Sequence, residues 1–193
     1  MLYKFAKFVV YMVFKFLFRI KIIGKTNVPK EGPVIVCSNH ISNFDPPVVG
    51  ITCPRDINFM AKEELFEKKG IGFLLKHLNA FPVKRGMRDR NALRNGLGLL
   101  EDGGTLGLFP EGTRSKDGNI KKGLAGAGFF AMRSNATVIP CAIIGPYEKF
   151  KPLKVIYGEP VEFESLKAEK PSAQEVTDEI MENIQSLIDE YKK

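Results

Sequence analysis

From residue 19 onward, short apolar runs alternate along the chain with stretches of helical periodicity. The runs predict strands at Arg19–Ile23, Val34–Ser38, Ile57–Met60, Ala80–Lys84, Thr105–Phe109, Thr137–Ile144 and Lys154–Tyr157. The helical patterns between them cover residues 46–52, 63–78, 88–101 and 121–133. Alternation of this kind is typical of an α/β domain.

The clearest helix is the last one. Ser172, with Glu175 three residues later, forms a capping box that predicts its start. One face of the pattern that follows is apolar and comprises Val176, Ile180, Met181, Ile184, Leu187, Ile188 and Tyr191.

The first 20 residues combine aromatic and basic side chains. Their longest uncharged run, residues 8–14, is far shorter than the roughly 20 residues that span a bilayer, and it is too short for a signal peptide. On a helix, Lys4, Lys7, Lys15 and Arg19 fall within one arc of about 120°. We therefore expect residues 1–20 to form a basic amphipathic helix in the membrane interface. The alternative is a helix packed on the domain with a solvated lysine stripe.

The net charge of +7 comes from this end of the chain. Seven Lys and Arg precede the first acid, Glu31, and the remaining residues balance. A nucleic-acid partner is not expected, because such proteins spread basic residues along a binding face. The three cysteines all lie in apolar runs, which indicates buried, reduced thiols in a reducing compartment.

Two glycine-rich stretches resemble nucleotide-binding motifs but lack residues that those motifs require. Residues 118–123 have P-loop spacing, yet Leu124 and Ala125 stand where Lys and Ser or Thr are required. Residues 123–128 have the wrong glycine order for a dinucleotide fingerprint. A kinase or a dehydrogenase is therefore not expected.

His40 is the candidate general base. It follows the strand Val34–Ser38, at the end where open α/β sheets place their sites, and Asp45 comes five residues later. A carboxylate bound to Nδ1 of a histidine leaves Nε2 free to take a proton from a hydroxyl. The alternative for Asp45, which precedes Pro46, is a helix N-cap.

Other candidates for this chemistry are weaker. The second histidine, His77, lies in an apolar helical pattern and is interpreted as structural. Cys37 is a possible nucleophile, but its neighbours in a strand would face away from it. A metal site is not expected, since one histidine and one aspartate are too few ligands.

The stretch Leu108–Ser115 follows another predicted strand. Gly112 would let the backbone approach a ligand, Thr113 offers a hydroxyl, and Arg114 offers a planar group suited to phosphate. The alternative is a turn with surface charge.

Taken together, these stretches resemble the glycerolipid acyltransferases, the 1-acylglycerol-3-phosphate acyltransferases of phospholipid synthesis. Asn39, His40 and Asp45 are similar to the first motif of that family, and residues 109–115 match the third nearly residue for residue. Residues 81–86 resemble the second motif, although Lys84 stands where an aspartate is frequent. Residues 138–140 resemble the fourth, and all four occur in the family's order.

The resemblance implies a single acyltransferase domain over residues 21–193, with a mixed sheet flanked by helices. It implies that His40 deprotonates the free hydroxyl of lysophosphatidate and that Asp45 orients it. The hydroxyl would attack the thioester of acyl-CoA or acyl carrier protein, with no further cofactor. The implied substrate-binding residues are Arg85, Glu111, Gly112, Thr113, Arg114 and Pro140.

Two alternatives to this function stay open on sequence alone. The acceptor could be glycerol 3-phosphate or another lysophospholipid, or the protein could be a noncatalytic phospholipid-binding module. Arg88, Arg90 and Arg94 could hold the donor's phosphates or an acidic carrier protein, or form a solvated helix face. The expected location is the cytoplasmic face of a membrane, peripheral or monotopic.

Overall fold

The computed structural model describes residues 11–70, 72, 73, 75, 79–84, 89–115, 119–163 and 170–192. Its strands are β1 Arg19–Ile23, β2 Val34–Ser38, β3 Asn58–Lys62, β4 Ala80–Val83, β5 Thr105–Leu108, β6 Thr137–Ile144 and β7 Pro152–Tyr157. Its helices are α1 Asp45–Thr52, α2 Glu63–Phe66, α3 Arg90–Glu101, α4 Gly126–Arg133 and α5 Ala173–Tyr191, with a short 3-10 turn at Lys25–Asn27. Residues 11–17, the N-terminal helical segment, are also helical.

The strands form one seven-stranded mixed sheet in the order β1-β7-β6-β2-β5-β3-β4. Every neighbouring pair is parallel except β6 and β7. The five strands from β6 to β4 therefore share one direction, and their carboxyl ends meet at one edge of the sheet. The α/β prediction with a mixed sheet is confirmed.

β2 lies at the centre of this sheet and is buried along its whole length. Its alternating side chains serve two cores: Val34 and Val36 face one, and Ile35 and Cys37 face the other. The first core packs against α1 and the N-terminal helical segment, and the second against α3, α4 and α5. Burial on both faces explains why the strand is a continuous apolar run.

The last helix begins as its sequence predicts. The Ser172 hydroxyl accepts from the backbone N–H of Glu175, and the Glu175 carboxylate accepts from the N–H of Ser172. Its apolar face packs on α4, where Gly128 lies against the backbone of Ala173 and leaves no room for a side chain. The capping box and the apolar face are confirmed.

Two predicted helices differ from the structure. A single helix over residues 63–78 is wrong, because α2 ends at Phe66 and Gly70 adopts a φ of 85°. The helix predicted over 121–133 begins only at Gly126. Before it, the backbone N–H of Leu124 donates to Pro110, and that of Lys121 donates to Glu111, so residues 121–124 pair with the loop after β5.

The N-terminal helical segment packs on the domain through Phe14 and Phe18, which are buried in the first core. Lys15 and Phe16 are exposed. Arg19 begins β1 and so does not continue the helical pattern, and residues 1–10, with Lys4 and Lys7, lie outside the described residues. In the part of the chain that is described, no helix combines the length and apolarity needed to cross a membrane.

Candidate active site

The candidate site lies where β2, β5 and β6 end side by side. β2 leads into Asn39 and His40, β5 leads into Phe109 and Glu111, and β6 leads toward Tyr147. Because β2 is parallel to both neighbours, these three loops leave the same edge of the sheet. Stretches far apart in the sequence therefore meet here.

His40 and Asp45 form a hydrogen-bonded pair. The Nδ1 atom of His40 lies 2.7 Å from Oδ2 of Asp45, whose side chain is fully buried. An ionised carboxylate can only accept, so Nδ1 carries a proton, and in the neutral imidazole this tautomer leaves the lone pair on Nε2. No described residue hydrogen-bonds Nε2, which leaves it available to a substrate hydroxyl.

Asp45 does not cap the helix that it begins. Phe44 occupies the N-cap position. Oδ2 of Asp45 instead accepts from the N–H groups of Ile41 and Ser42, which precede it in the sequence, each at 2.7 Å. The N-cap interpretation is therefore wrong. The same oxygen organises the loop and holds the imidazole.

Aromatic stacking on one face of the ring also fixes the imidazole of His40. It stacks on Phe109, with ring centroids 4.3 Å apart and an interplanar angle of 26°. Phe109 in turn stacks on Phe59 of β3, at 5.9 Å and 14°. An aromatic floor therefore restricts how far the ring of His40 can tilt.

Glu111 ties the loop after β5 to the loop after β2. It is buried, and its Oε1 and Oε2 accept from the backbone N–H groups of His40, at 2.8 Å, and Lys121, at 3.0 Å. The backbone N–H of Ser115 donates to the carbonyl of His40 at 2.7 Å. Both backbone polar groups of His40 are thus bound by residues of the third motif.

Gly112 makes the turn within this loop. Its φ is 66°, and its N–H donates to the carbonyl of Phe109 at 3.0 Å. The positive φ favours glycine, whereas a Cβ atom there would meet only the end of the exposed Leu124 side chain, which could move aside. Thr113 and Arg114 follow on the exposed part of the loop.

The remaining predicted binding residues are Pro140 and Arg85. Pro140 is buried within β6, paired in register with Cys37, so it lies three residues before the level of His40 along the sheet. Arg85 lies outside the described residues, as does His77. Lys84, which departs from the family's pattern, places Nζ 3.8 Å from a carboxylate oxygen of Glu63.

Cys37 is unsuited to act as a nucleophile. All three cysteines are free and buried, as predicted. Burial raises the pKa of the Cys37 thiol to about 12, so the reactive thiolate does not form near neutral pH.

Two site residues were not assigned from the sequence. The side-chain amide of Asn39 pairs with the backbone of Ile143, accepting at 2.7 Å and donating at 3.0 Å, which extends the contact between β2 and β6. The hydroxyl of Tyr147 donates to Oδ1 of Asp45 at 2.6 Å. Tyr147 follows the predicted strand Thr137–Ile144, but nothing in the sequence places that strand beside β2.

Comparisons with known proteins find similar sequences. The family model described as Acyltransferase matches residues 19–144. The 1-acyl-sn-glycerol-3-phosphate acyltransferase of Bacillus subtilis is 34% identical over 167 residues, which are 83% of this chain and 82% of that protein. The chloroplastic 1-acyl-sn-glycerol-3-phosphate acyltransferase LPAT1 of Arabidopsis thaliana is 31% identical over 132 residues, 66% of this chain and 36% of that protein.

A solved structure shares the fold. The crystal structure of the 1-acyl-sn-glycerophosphate (LPA) acyltransferase PlsC from Thermotoga maritima superposes with a TM-score of 0.79 at 24% identity. The match covers 98% of this chain and 80% of that chain.

Proposed function

The chain belongs to the acyltransferase family, and from this premise we propose that it is a 1-acyl-sn-glycerol-3-phosphate acyltransferase. It transfers an acyl chain from a thioester to the free hydroxyl of lysophosphatidate, which gives phosphatidate and a free thiol. The observation that carries the proposal is the bond of 2.7 Å between the partly exposed His40 and the buried Asp45, with Nε2 of His40 not bonded by any described residue.

The proposed reaction is a single acyl transfer. Nε2 of His40 takes the proton of the acceptor hydroxyl while the oxygen attacks the thioester carbonyl. When the tetrahedral intermediate collapses, the C–S bond breaks, the new C–O ester bond remains, and the imidazolium protonates the departing thiolate. Asp45 stabilises the imidazolium, and a positioned base of this kind contributes about 10²- to 10⁴-fold.

The acceptor's phosphate would be held by arginines at the same edge of the sheet. Arg114 is exposed on the loop that binds His40 through Glu111 and Ser115, so a phosphate bound there would lie beside the base. A guanidinium binds a phosphate in a fixed, two-pronged geometry. β4 ends at that edge with Val83, Lys84 follows it, and Arg85, the next residue in the sequence, is proposed as the second arm of the clamp.

The acyl donor is proposed to be acyl-CoA or acyl carrier protein. Arg90 and Arg94 line a shallow surface depression on α3 together with the apolar side chains of Leu93 and Leu97, and Glu101 is the one acidic residue of its lining. Basic groups around an apolar floor suit either the phosphates of CoA or an acidic carrier protein. The turnover assay described below tests acyl-CoA and acyl carrier protein separately.

The membrane surface is proposed as the place where the reaction occurs. The exposed ring of Phe16, 75% accessible, contacts that of Phe150, 59% accessible, at 6.4 Å between centroids. Met12 and Val13 add exposed apolar area, and Lys15 lies among them. Apolar side chains next to lysines suit peripheral binding to anionic phospholipid at the cytoplasmic face.

The test is turnover of the purified full chain with a panel of acceptors and donors. Thiol release should depend on lysophosphatidate and should disappear in His40→Ala, whose fold is checked by circular dichroism. Faster turnover of glycerol 3-phosphate or another lysophospholipid would reassign the acceptor. Absence of thiol release with every acceptor and donor would overturn the enzymatic proposal in favour of a noncatalytic phospholipid-binding module.

A further inference from the structure

The carboxylate of Asp45 uses its two oxygens differently. Oδ2 accepts from the imidazole of His40 and from the N–H groups of Ile41 and Ser42. Oδ1 accepts from the hydroxyl of Tyr147 at 2.6 Å. Among the described residues, Tyr147 is the only hydrogen-bond partner of Oδ1.

This second oxygen needs a donor because the side chain of Asp45 is fully buried. A buried anionic oxygen without a hydrogen bond is costly, so without Tyr147 the carboxylate would turn or draw in water. Either change would compete with the bond between Oδ2 and His40. A donor on Oδ1 therefore fixes the carboxylate plane and, through it, the imidazole.

The phenol is itself held in place. Its ring packs edge-on against Phe18, with centroids 5.6 Å apart at 90°, and against Phe44 at 5.9 Å and 45°. Burial, and then the nearby Asp45 carboxylate, raise the pKa of Tyr147 far above its ordinary value. Tyr147 therefore stays protonated and remains a donor throughout the range in which the protein would work.

We propose that Tyr147 is a positioning residue for acyl transfer: by donating to Oδ1 of Asp45 it keeps Oδ2 on Nδ1 of His40 and so aligns Nε2 with the acceptor hydroxyl. This inference rests on the proposed function, because it assigns Tyr147 to the base of that reaction. Tyr147 lies 102 residues from Asp45 in the sequence and outside the four motifs. Its role is to act through Asp45, with no contact to substrate required.

Tyr147→Phe removes the hydroxyl and keeps the ring. We expect kcat to fall by about ten-fold, the size expected for losing one hydrogen bond to a charged group, with the KM of acceptor and donor within about two-fold of wild type. The matched control is Tyr157→Phe. The hydroxyl of Tyr157 is buried and bonds Thr52 at 2.8 Å, away from the His40–Asp45 pair. The control should lose stability to a similar degree and keep kcat.

The position of the imidazole can be read directly, without substrate. In ¹H NMR of the ligand-free protein, the Nδ1 proton of His40, identified by its loss in His40→Ala, should give a downfield signal. That signal should move upfield or broaden in Tyr147→Phe and stay unchanged in Tyr157→Phe. In an Asp45→Asn background, Tyr147→Phe should have little further effect on kcat, because the two residues act as a unit.

Several results would overturn the inference. One is a folded Tyr147→Phe protein with the kcat of wild type. Another is a loss of kcat in Tyr157→Phe equal to that in Tyr147→Phe. A third is a further loss of kcat when Tyr147→Phe is added to Asp45→Asn, as large as the loss that it causes in wild type. If Tyr147→Phe does not fold, 3-fluorotyrosine at position 147 replaces it. As a stronger donor it should change the charge on Asp45 and shift the Nδ1 signal, and an unmoved signal would contradict the inference.

Failure of the proposed function would look different. A wild-type protein that transfers no acyl group to any acceptor would refute the reaction. The Nδ1 signal of the ligand-free protein would still report whether Tyr147 positions the imidazole.

Discussion

The backbone N–H of His40 donates to Oε1 of Glu111 at 2.8 Å, across 71 residues of sequence. The acid of the third motif thereby holds the backbone of the histidine in the first. Since Oε2 is bound to the N–H of Lys121, both oxygens of this buried carboxylate are engaged within the protein. This bond predicts how the site responds to a change at Glu111.

Glu111→Gln should lower kcat by about ten-fold and the free energy of unfolding by about 1–3 kcal/mol. The amide NH₂ would face one of the two backbone N–H groups, leaving a buried donor unsatisfied. Steady-state kinetics and urea unfolding measure the two effects, with Glu64→Gln on the exposed surface as the control. A higher KM for the acceptor at unchanged kcat would show instead that Glu111 contacts the acceptor.

Arg114→Ala should raise the KM for lysophosphatidate by about ten-fold or more, with a smaller effect on the thioester, because a charged hydrogen bond to phosphate is lost. The control is Arg133→Ala. Arg133 ends α4, which runs back to the start of β6, so it lies at the opposite edge of the sheet from His40. A change confined to the KM of the thioester would assign Arg114 to the donor.

Phe16→Asp should release the protein from anionic phospholipid vesicles at moderate salt, because it puts a charge in the exposed apolar surface of the N-terminal helical segment. Sedimentation with vesicles measures the effect. Met132→Asp is the control, since Met132 is an exposed apolar side chain on α4, across the sheet. Equal sedimentation of wild type and Phe16→Asp would place membrane binding elsewhere. Deleting residues 1–18 is a poorer test, because it removes the buried Phe14 and Phe18.

Stability should fall in alkaline solution. Burial raises the pKa of Cys37 to about 12 and raises that of Cys141 as well, whereas in the unfolded chain both thiols ionise near pH 8.5. The folded state keeps protons that the unfolded state releases. This stabilisation is therefore complete below about pH 8.5 and is lost as the pH rises toward 12.

Cys37→Ala tests the predicted fall of stability with rising pH. Each thiol contributes a slope of about 1.4 kcal/mol per pH unit over that window. Between pH 9 and 10, the free energy of unfolding of Cys37→Ala should therefore fall less steeply than that of wild type by about this amount. Parallel slopes in urea unfolding would mean that Cys37 ionises alike in both states.

The sequence predicted the elements whose signals are local. Val34–Ser38 is a five-residue apolar run with polar residues after it, and both of its bounds were correct. The pairing of His40 with Asp45 could also be predicted, because the two residues are only five apart in the sequence and a tight loop brings them together. The strand order and the partners of each helix required the three-dimensional structure.

What the sequence did not predict depends on contacts between distant residues. The start of α4 was placed too early because residues 121–124 bond to Pro110 and Glu111, which no periodicity reveals. Tyr147 gave no local signal, since its partner Asp45 belongs to another loop. Helical periodicity likewise suggested one continuous helix over residues 63–78, but α2 ends at Phe66 and Gly70 has a left-handed backbone.

The bonds that brace the site span 71, 102 and 104 residues, from His40 to Glu111, Asp45 to Tyr147 and Asn39 to Ile143. We expect such contacts to form late in folding, because the entropy cost of ordering the long intervening chain comes before the contacts stabilise it. The base is therefore complete only when β2, β5 and β6 have docked together. Recovery of turnover during refolding should lag behind the recovery of helical signal, and a fragment that stops before residue 143 should have no activity at all.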